Sequence, residues 1–350
     1  MRSKKIWGDM MKIDKVAPLF ITGTWRSGST LMSRVFNNHS TLKVTYDTIH
    51  FMRFSYQRYN PINSLKNVRR LIQDTNNRLK ERYELQFDEK NVFDLLDGHF
   101  TYASIYNAMM IDFSLRDVGK IIWGEKTNLA WNQIPFFLEL FPEGRVVHLI
   151  RDPRAVLASW KKFTTAPGSD YLDSITNCYD SMQKALDYKE RLSKHRYAVI
   201  VYEDFVTNPH KTIEQVSCKL DIPFEDQMLD DEKFEDLYGE KWKSNTIYSD
   251  NLEGISNAMV DRWKSELDVW EVSLIEMVMK KFLVSFGYEL LGSNKDRQYL
   301  DRIIYEISRS KLVSDGLLRI LLAQEGCQRY PSDPLVRKNW SDMDKNEFIT

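Results

Sequence analysis

Leu19-Phe20-Ile21-Thr22-Gly23-Thr24-Trp25-Arg26-Ser27-Gly28-Ser29-Thr30 decides how this chain folds. A short apolar run enters a Gly/Ser-rich turn. A helix-like stretch follows, about Ser29–Asn38, with Leu31, Val35 and Phe36 on one face. The spacing is that of phosphate-binding loops, G-x-x-x-x-G-K-[ST]. Gly23, Gly28 and Thr30 are in register, but Ser29 stands at the lysine position. That lysine normally reaches the β- and γ-phosphates of a triphosphate. Without it, the backbone N–H groups at a helix N-terminus still cradle an anion. Arg26 adds a planar cationic fork. The turn predicts a phosphate-bearing cofactor other than ATP.

Working outward, Val146–Ile150 reads as a second apolar strand. Arg151 follows it, then Asp152 as N-cap and Pro153 at the first helical position of a helix to about Lys162. Further strands are expected at Ile121-Ile122-Trp123 and Tyr197–Val201, and helices at about 132–140, 171–192, 209–220, 264–286 and 298–322. Residues 50–118 carry helical periodicity between two strands and predict a helical cap. Residues 238–258 read as a mobile loop. Strands alternating with helices imply a parallel sheet covered on both faces. Ligands bind at the carboxyl ends of such strands, so the turns after the first strand, about Leu19–Thr22, and after Ile150 should converge on one crevice.

The net charge of −1 supplies no basic field for nucleic acid or an anionic membrane surface. No stretch approaches the apolar length of a membrane span, and Met1–Val16 is too polar for a signal peptide. A cytoplasmic protein with no membrane span is expected. Cys178, Cys218 and Cys327 fit no metal or redox spacing and read as reduced packing residues. The histidines form no ligand pair, so no metal is expected; His148, inside a strand, reads as a core residue.

Arg26-Ser27-Gly28-Ser29-Thr30-Leu31 after an apolar strand resembles the 5′-phosphosulfate loop of sulfotransferases, which use 3′-phosphoadenosine 5′-phosphosulfate (PAPS). Val146–Trp160 is similar to that family's 3′-phosphate-binding strand–turn–helix, with Arg151, Pro153 and Ser159 in register. The resemblance covers roughly residues 18–290. It implies an α/β fold: a central parallel sheet flanked by helices, P-loop NTPase-like, with a helical cap insertion. The corresponding division is a polar lead-in at 1–17, a sulfotransferase domain at 18–292 and a C-terminal helical extension and tail at 293–350.

The resemblance also implies roles. Arg26 and the loop residues Ser27, Gly28, Ser29 and Thr30 would hold the 5′-phosphosulfate. Arg151 and Ser159 would hold the 3′-phosphate, and Tyr202 would contact the adenine. Lys126, in Gly124-Glu125-Lys126-Thr127, would stabilise charge on the leaving group; Asn128 stands where the family often has proline. Asp47 would be the base, as in the tyrosylprotein and carbohydrate branches, where a glutamate serves. His50 and His99 remain alternatives. The small-molecule branch has a histidine at the position of Asn128. Ser249–Trp263 resembles a cofactor-covering loop, with Ser256 or Asn257 toward the 3′-phosphate and Ser249 toward the sulfuryl group.

The expected activity is sulfuryl transfer from PAPS to a hydroxyl, or an amine, of a glycan, glycolipid or small-molecule acceptor. The aromatic residues Phe51, Phe54, Tyr56, Tyr59, Phe100, Tyr102 and Tyr106 suit such an acceptor, and Lys66, Arg69 and Arg70 read as a solvated helix face, with contact to an acidic acceptor as the alternative. The sequence leaves homo-oligomerisation open. A P-loop kinase and a non-catalytic binding protein on the same fold are the competing readings. Ser29 argues against the first; retention of Arg26, Lys126 and Arg151 argues against the second.

Overall fold

Five strands carry the architecture of the computed structural model, which describes residues 13–116, 119–164, 167–242, 254–292 and 296–324. They are β1 (Leu19–Gly23), β2 (Leu42–Tyr46), β3 (Ile122–Lys126), β4 (Arg145–Ile150) and β5 (Tyr197–Val201). They lie in the order β2-β3-β1-β4-β5, and every pairing is parallel. All five residues of β1 are buried, as a central strand covered on both faces requires. Successive side chains alternate between the faces. Phe20, Trp123 and Val146 join the core beneath the cap, whereas Leu19, Ile21, Val44, Val147 and Leu149 pack on the opposite side.

The helices of eight or more residues are α1 (Ser29–Asn37), α2 (Leu65–Tyr83), α3 (Glu89–Leu96), α4 (Tyr102–Met110), α5 (Pro153–Phe163), α6 (Asp173–Arg191), α7 (Pro209–Lys219), α8 (Val269–Ser285), α9 (Arg297–Arg309) and α10 (Lys311–Leu321). Helices α2 to α4, with a short helix at Phe51–Phe54, occupy the segment between β2 and β3. Ile303 of α9 and Val313 of α10 share a buried cluster with Ile175 of α6 and Leu274 of α8. Gly316 permits that approach: a Cβ there would lie 2.7 Å from Thr176 Cγ2.

Several expectations need correction, and one is the helix expected at 298–322, which is broken at Ser310 into α9 and α10. Strand β2 was not foreseen; it pairs along β3 from Leu42–Ile122 to Tyr46–Lys126. Strand β3 begins one residue later than expected and runs on to Lys126, while Ile121 is 52% exposed. Lys126 is therefore the last residue of a strand rather than part of the following loop. The cap aromatics are largely core: Phe51 and Tyr106 are fully buried and stacked at 4.2 Å, and Tyr59 and Tyr102 are buried with them. Only Phe54, Tyr56 and Phe100 of that set keep partial exposure.

Of the cysteines, Cys178 is buried as expected, but Cys218 is exposed. Cys327 lies outside the described residues. Among the described residues no helix is long and apolar enough to cross a membrane, and no group of three His, Cys, Asp or Glu is placed to hold a metal ion.

Candidate active site

The turn after β1 is shaped by two residues in the left-handed region, Arg26 at φ 63° and Gly28 at φ 88°. Gly28 is required twice over. Its φ favours glycine, and a Cβ there would lie 2.4 Å from Cδ2 of Tyr202. Gly23 allows a second close approach, since a Cβ would meet Ser27 Oγ at 2.7 Å and the Leu149 carbonyl at 2.8 Å. Helix α1 has no side-chain cap at Gly28. Its first i→i−4 bond runs from Met32 N–H to the Gly28 carbonyl at 3.0 Å. The N–H groups of Ser29, Thr30 and Leu31 precede that bond and have no partner within the helix.

Side chains fix the turn. Ser27 Oγ donates to the Thr24 carbonyl at 2.7 Å, and Ser29 Oγ donates to Asn128 Oδ1 at 2.7 Å. Asn128 thus ties the end of β3 to the start of α1, a contact that sequence reading missed. Its place beside the Lys126-Thr127 pair was the available signal.

The turn after β4 meets the first loop directly. Asp152 caps α5 by accepting from Arg154 N–H, with Pro153 in the first turn, as expected. Arg151 Nη1 donates to the Arg26 carbonyl at 2.8 Å, and its guanidinium lies 4.3 Å from the Tyr202 ring centroid. Its Nε is buried without a hydrogen-bond partner. Ser159, one turn before the end of α5, accepts from Arg26 Nε at 2.9 Å. The two expected anion anchors are bonded to each other. Trp25 stacks on Trp160 at 4.9 Å, and Phe163 lies 5.0 Å from the Arg26 guanidinium. Tyr202, the residue after β5, is buried against Gly28 and beneath Arg151.

The third part lies at the carboxyl ends of β2 and β3, whose last residues, Tyr46 and Lys126, are in register. Lys126 is fully buried, and its ammonium donates to Asp47 Oδ2. Burial lowers the Lys126 pKa; Asp47 opposes the shift, and Arg34 and Arg26 add to it. Asp47 has φ 51° and is not a helix N-cap. Its Oδ1 is buried without a hydrogen-bond donor, 3.7 Å from His50 Nε2. His50 is buried and its Nδ1 lies 3.2 Å from Thr127 Oγ1. Burial first, then Arg78, Arg53, Arg82 and Lys126, hold its pKa well below the usual imidazole value. It therefore stays neutral near pH 7.

Arg34, which the sequence reading did not single out, projects from α1 with its guanidinium 3.6 Å from the Tyr46 ring centroid. One helical turn beyond Thr30 was its signal.

Other expectations do not join this cluster. His99 is exposed ahead of α4, in the cap. His148 is a core residue, 2.9 Å from Tyr197 Oη and 2.8 Å from Ser181 Oγ, with its pKa pushed down to about 3 by burial. Ser256 accepts from Ala258 N–H at 3.2 Å within its own turn, and Asn257 is exposed. The adjoining Met259 carbonyl accepts from Arg151 Nη2 at 3.4 Å, which brings this segment to the second loop. Ser249 lies outside the described residues. Lys66, Arg69 and Arg70 are exposed.

Comparison with known proteins gives this arrangement a family. The chain is 25% identical to a protein-tyrosine sulfotransferase of Drosophila melanogaster over 62% of its own length and 40% of the fly protein. It is 27% identical to carbohydrate sulfotransferase 3 of Tetronarce californica over 42% of its length and 36% of that protein. The matched region thus spans less than half of each of these two relatives. Among solved structures, the sulfotransferase domain of the Synechococcus PCC 7002 olefin synthase superposes with a TM-score of 0.53 at 19% identity, covering 79% of this chain and 98% of that domain. That likeness shows the fold. Residues 18–226 match the model of the sulfotransferase family, and the chain belongs to that family.

Proposed function

We propose that the chain is a PAPS-dependent sulfotransferase acting on an acceptor hydroxyl, with Asp47 as the base. The carrying observation is the divided Asp47 carboxylate. Oδ2 is held by Lys126, whereas Oδ1 is buried with no donor. An unpartnered carboxylate oxygen in a buried site is poised to take a proton.

Features of the chain suit a cofactor with phosphates at both ends. The Gly28 cradle would be filled by a Cβ, the N-terminus of α1 is uncapped, and the buried Arg151 Nε lacks an acceptor. On this reading Arg26, Ser27, Gly28, Ser29 and Thr30 hold the 5′ end, Arg151 and Ser159 the 3′-phosphate, and Tyr202 packs beside them. PAPS, when bound, supplies an activated sulfuryl group. Asp47 Oδ1 accepts the acceptor proton, Lys126 supplies a buried cation, and the aromatic wall of Trp25, Trp160 and Phe163 limits water near Arg26. Ser256 would approach the 3′ end through the segment that already touches Arg151.

The printed names of the relatives, protein-tyrosine and carbohydrate sulfotransferases, support a phenolic or sugar hydroxyl as the acceptor class. The buried cap aromatics leave less stacking surface for it than the sequence suggested. The test is calorimetric binding of 3′-phosphoadenosine 5′-phosphate (PAP) against AMP and ATP·Mg²⁺, followed by transfer from PAPS to phenolic and sugar acceptors. Selective PAP binding with turnover supports the reading; preference for ATP·Mg²⁺ overturns it.

A further inference from the structure

The turn Asp47–His50 carries an unusual backbone. Asp47 and His50, neither of them glycine, both sit in the left-handed region, at φ 51° and 50°. Such conformations persist only where surrounding structure over-determines them. Here the surroundings do so through side chains drawn from the cap and from β3. The Tyr83 hydroxyl, at the end of α2, donates to the Asp47 carbonyl. Arg78, one turn earlier, donates from Nη1 to the Thr48 carbonyl at 2.8 Å and from Nη2 to the Ile49 carbonyl. Glu125 Oε1 accepts from His50 N–H, and Oε2 accepts from the Tyr106 hydroxyl of α4. The Asp47 N–H donates to the Lys126 carbonyl at 3.1 Å.

Every carbonyl of the turn is therefore occupied, the last by Arg53 and Phe54 N–H groups at 3.0 and 2.9 Å. Arg78, Tyr83 and Glu125 are all buried. None of them bonds to the Asp47 carboxylate. Each of them hydrogen-bonds to the main chain that carries it.

We infer that Tyr83, Arg78 and Glu125 are positioning residues that lock the Asp47–His50 turn and so aim the Asp47 carboxylate. This rests on the reading of Asp47 as the base. It also assigns the cap a task beyond covering the sheet: α2 and α4 hold the proton acceptor at the end of β2. A shift of about 1 Å in a reacting group is enough to cost about a hundredfold in rate.

The experiment places Tyr83→Phe in the wild-type and in the Asp47→Asn background. The variant removes one hydroxyl and keeps the ring. In the wild type, kcat should fall about tenfold while the KM for PAPS and the affinity for PAP stay within about twofold. In the Asp47→Asn background the same change should have no further effect on kcat, because a residue acting through Asp47 has nothing left to aim. Equal losses in both backgrounds, or an unchanged kcat in the wild type, overturn the positioning role alone. Full activity of Asp47→Asn overturns the base assignment and the positioning role together.

Should Tyr83→Phe fail to fold, Arg78→Lys carries the same test. A lysine retains the charge but loses the planar fork that spans two carbonyls. The same kcat-selective loss and the same silence beside Asp47→Asn are expected; equal losses in the two backgrounds overturn the proposal.

Discussion

The turns after β1 and β2 solve opposite problems at the carboxyl ends of strands in one sheet. The first, Gly23–Thr30, leaves N–H donors of the first helical turn uncommitted and relies on glycine for close approach. The second, Asp47–His50, has three of its four carbonyls occupied by distant side chains and contains no glycine. A loop that must receive an anion keeps donors in reserve. A loop that must hold one carboxylate still uses its main-chain carbonyls for anchoring; of the Asp47 carboxylate, Oδ2 is held by Lys126 and Oδ1 is left open.

The largest effect expected from this contrast falls on chemistry alone. Asp47→Asn should lower kcat by about 10²–10⁴-fold, the usual worth of a general base. PAP affinity, read by calorimetry, should change by less than about twofold. A large loss of PAP affinity would merge the two turns into one functional unit and break the comparison. Next comes Gly28→Ala, which sets a Cβ against the Tyr202 ring at a φ that disfavours it. PAP affinity should fall more than about tenfold, or about 1.4 kcal/mol. Gly98→Ala is the control: it has φ 78° but open space around it, so it should cost stability of about 1 kcal/mol and leave PAP binding intact.

Arg151→Ala sharpens the assignment of the two ends. It should weaken PAP by about tenfold or more and spare AMP, which lacks the 3′-phosphate. Equal weakening of both ligands would move the 3′ anchor elsewhere.

These two turns also differ in how well they could be read in advance. Gly23 and Gly28 are legible because a turn with no room for a Cβ, left-handed at Gly28, leaves few choices of residue. Arg151 and Pro153 are legible for a similar local reason, the stop of a strand and the start of a helix. The second turn is not local. Arg78, Tyr83 and Glu125 lie far from Asp47 in sequence, and each reads by itself as part of an ordinary helix or strand. Strand β2 was legible but passed over: Leu42-Lys43-Val44-Thr45-Tyr46 alternates apolar and polar residues, the period of a half-buried strand, over only five residues. The cap aromatics misled because periodicity in short helices does not separate a core face from a binding face; Phe51 and Tyr106 pack on each other instead.

The last expected effect is on stability alone and concerns His148 of β4, in the sheet beneath the turns. The folded-state pKa of His148 is about 3, against 6.5 for the free side chain. Between those values the unfolded chain binds a proton that the folded chain does not. Stability should therefore fall as pH drops from 6.5 toward 3, with a slope of at most about 1.4 kcal/mol per pH unit from this residue. Urea unfolding of wild type and His148→Gln at pH 7 and pH 5 checks it. An unchanged slope in the variant would assign the acid loss to other groups, with His50 the first to examine.

The bond between Arg26 Nε and Ser159 Oγ has a thermodynamic consequence. Ser159 Oγ accepts it through a lone pair and keeps its O–H to donate, so the bond ties the two side chains together without barring an anion from either. On the proposed reading, an anion that orders Arg26 at one end also orders Ser159 at the other. Two separate fragments should then bind with positive cooperativity, and by linkage the coupling is the same whichever end binds first.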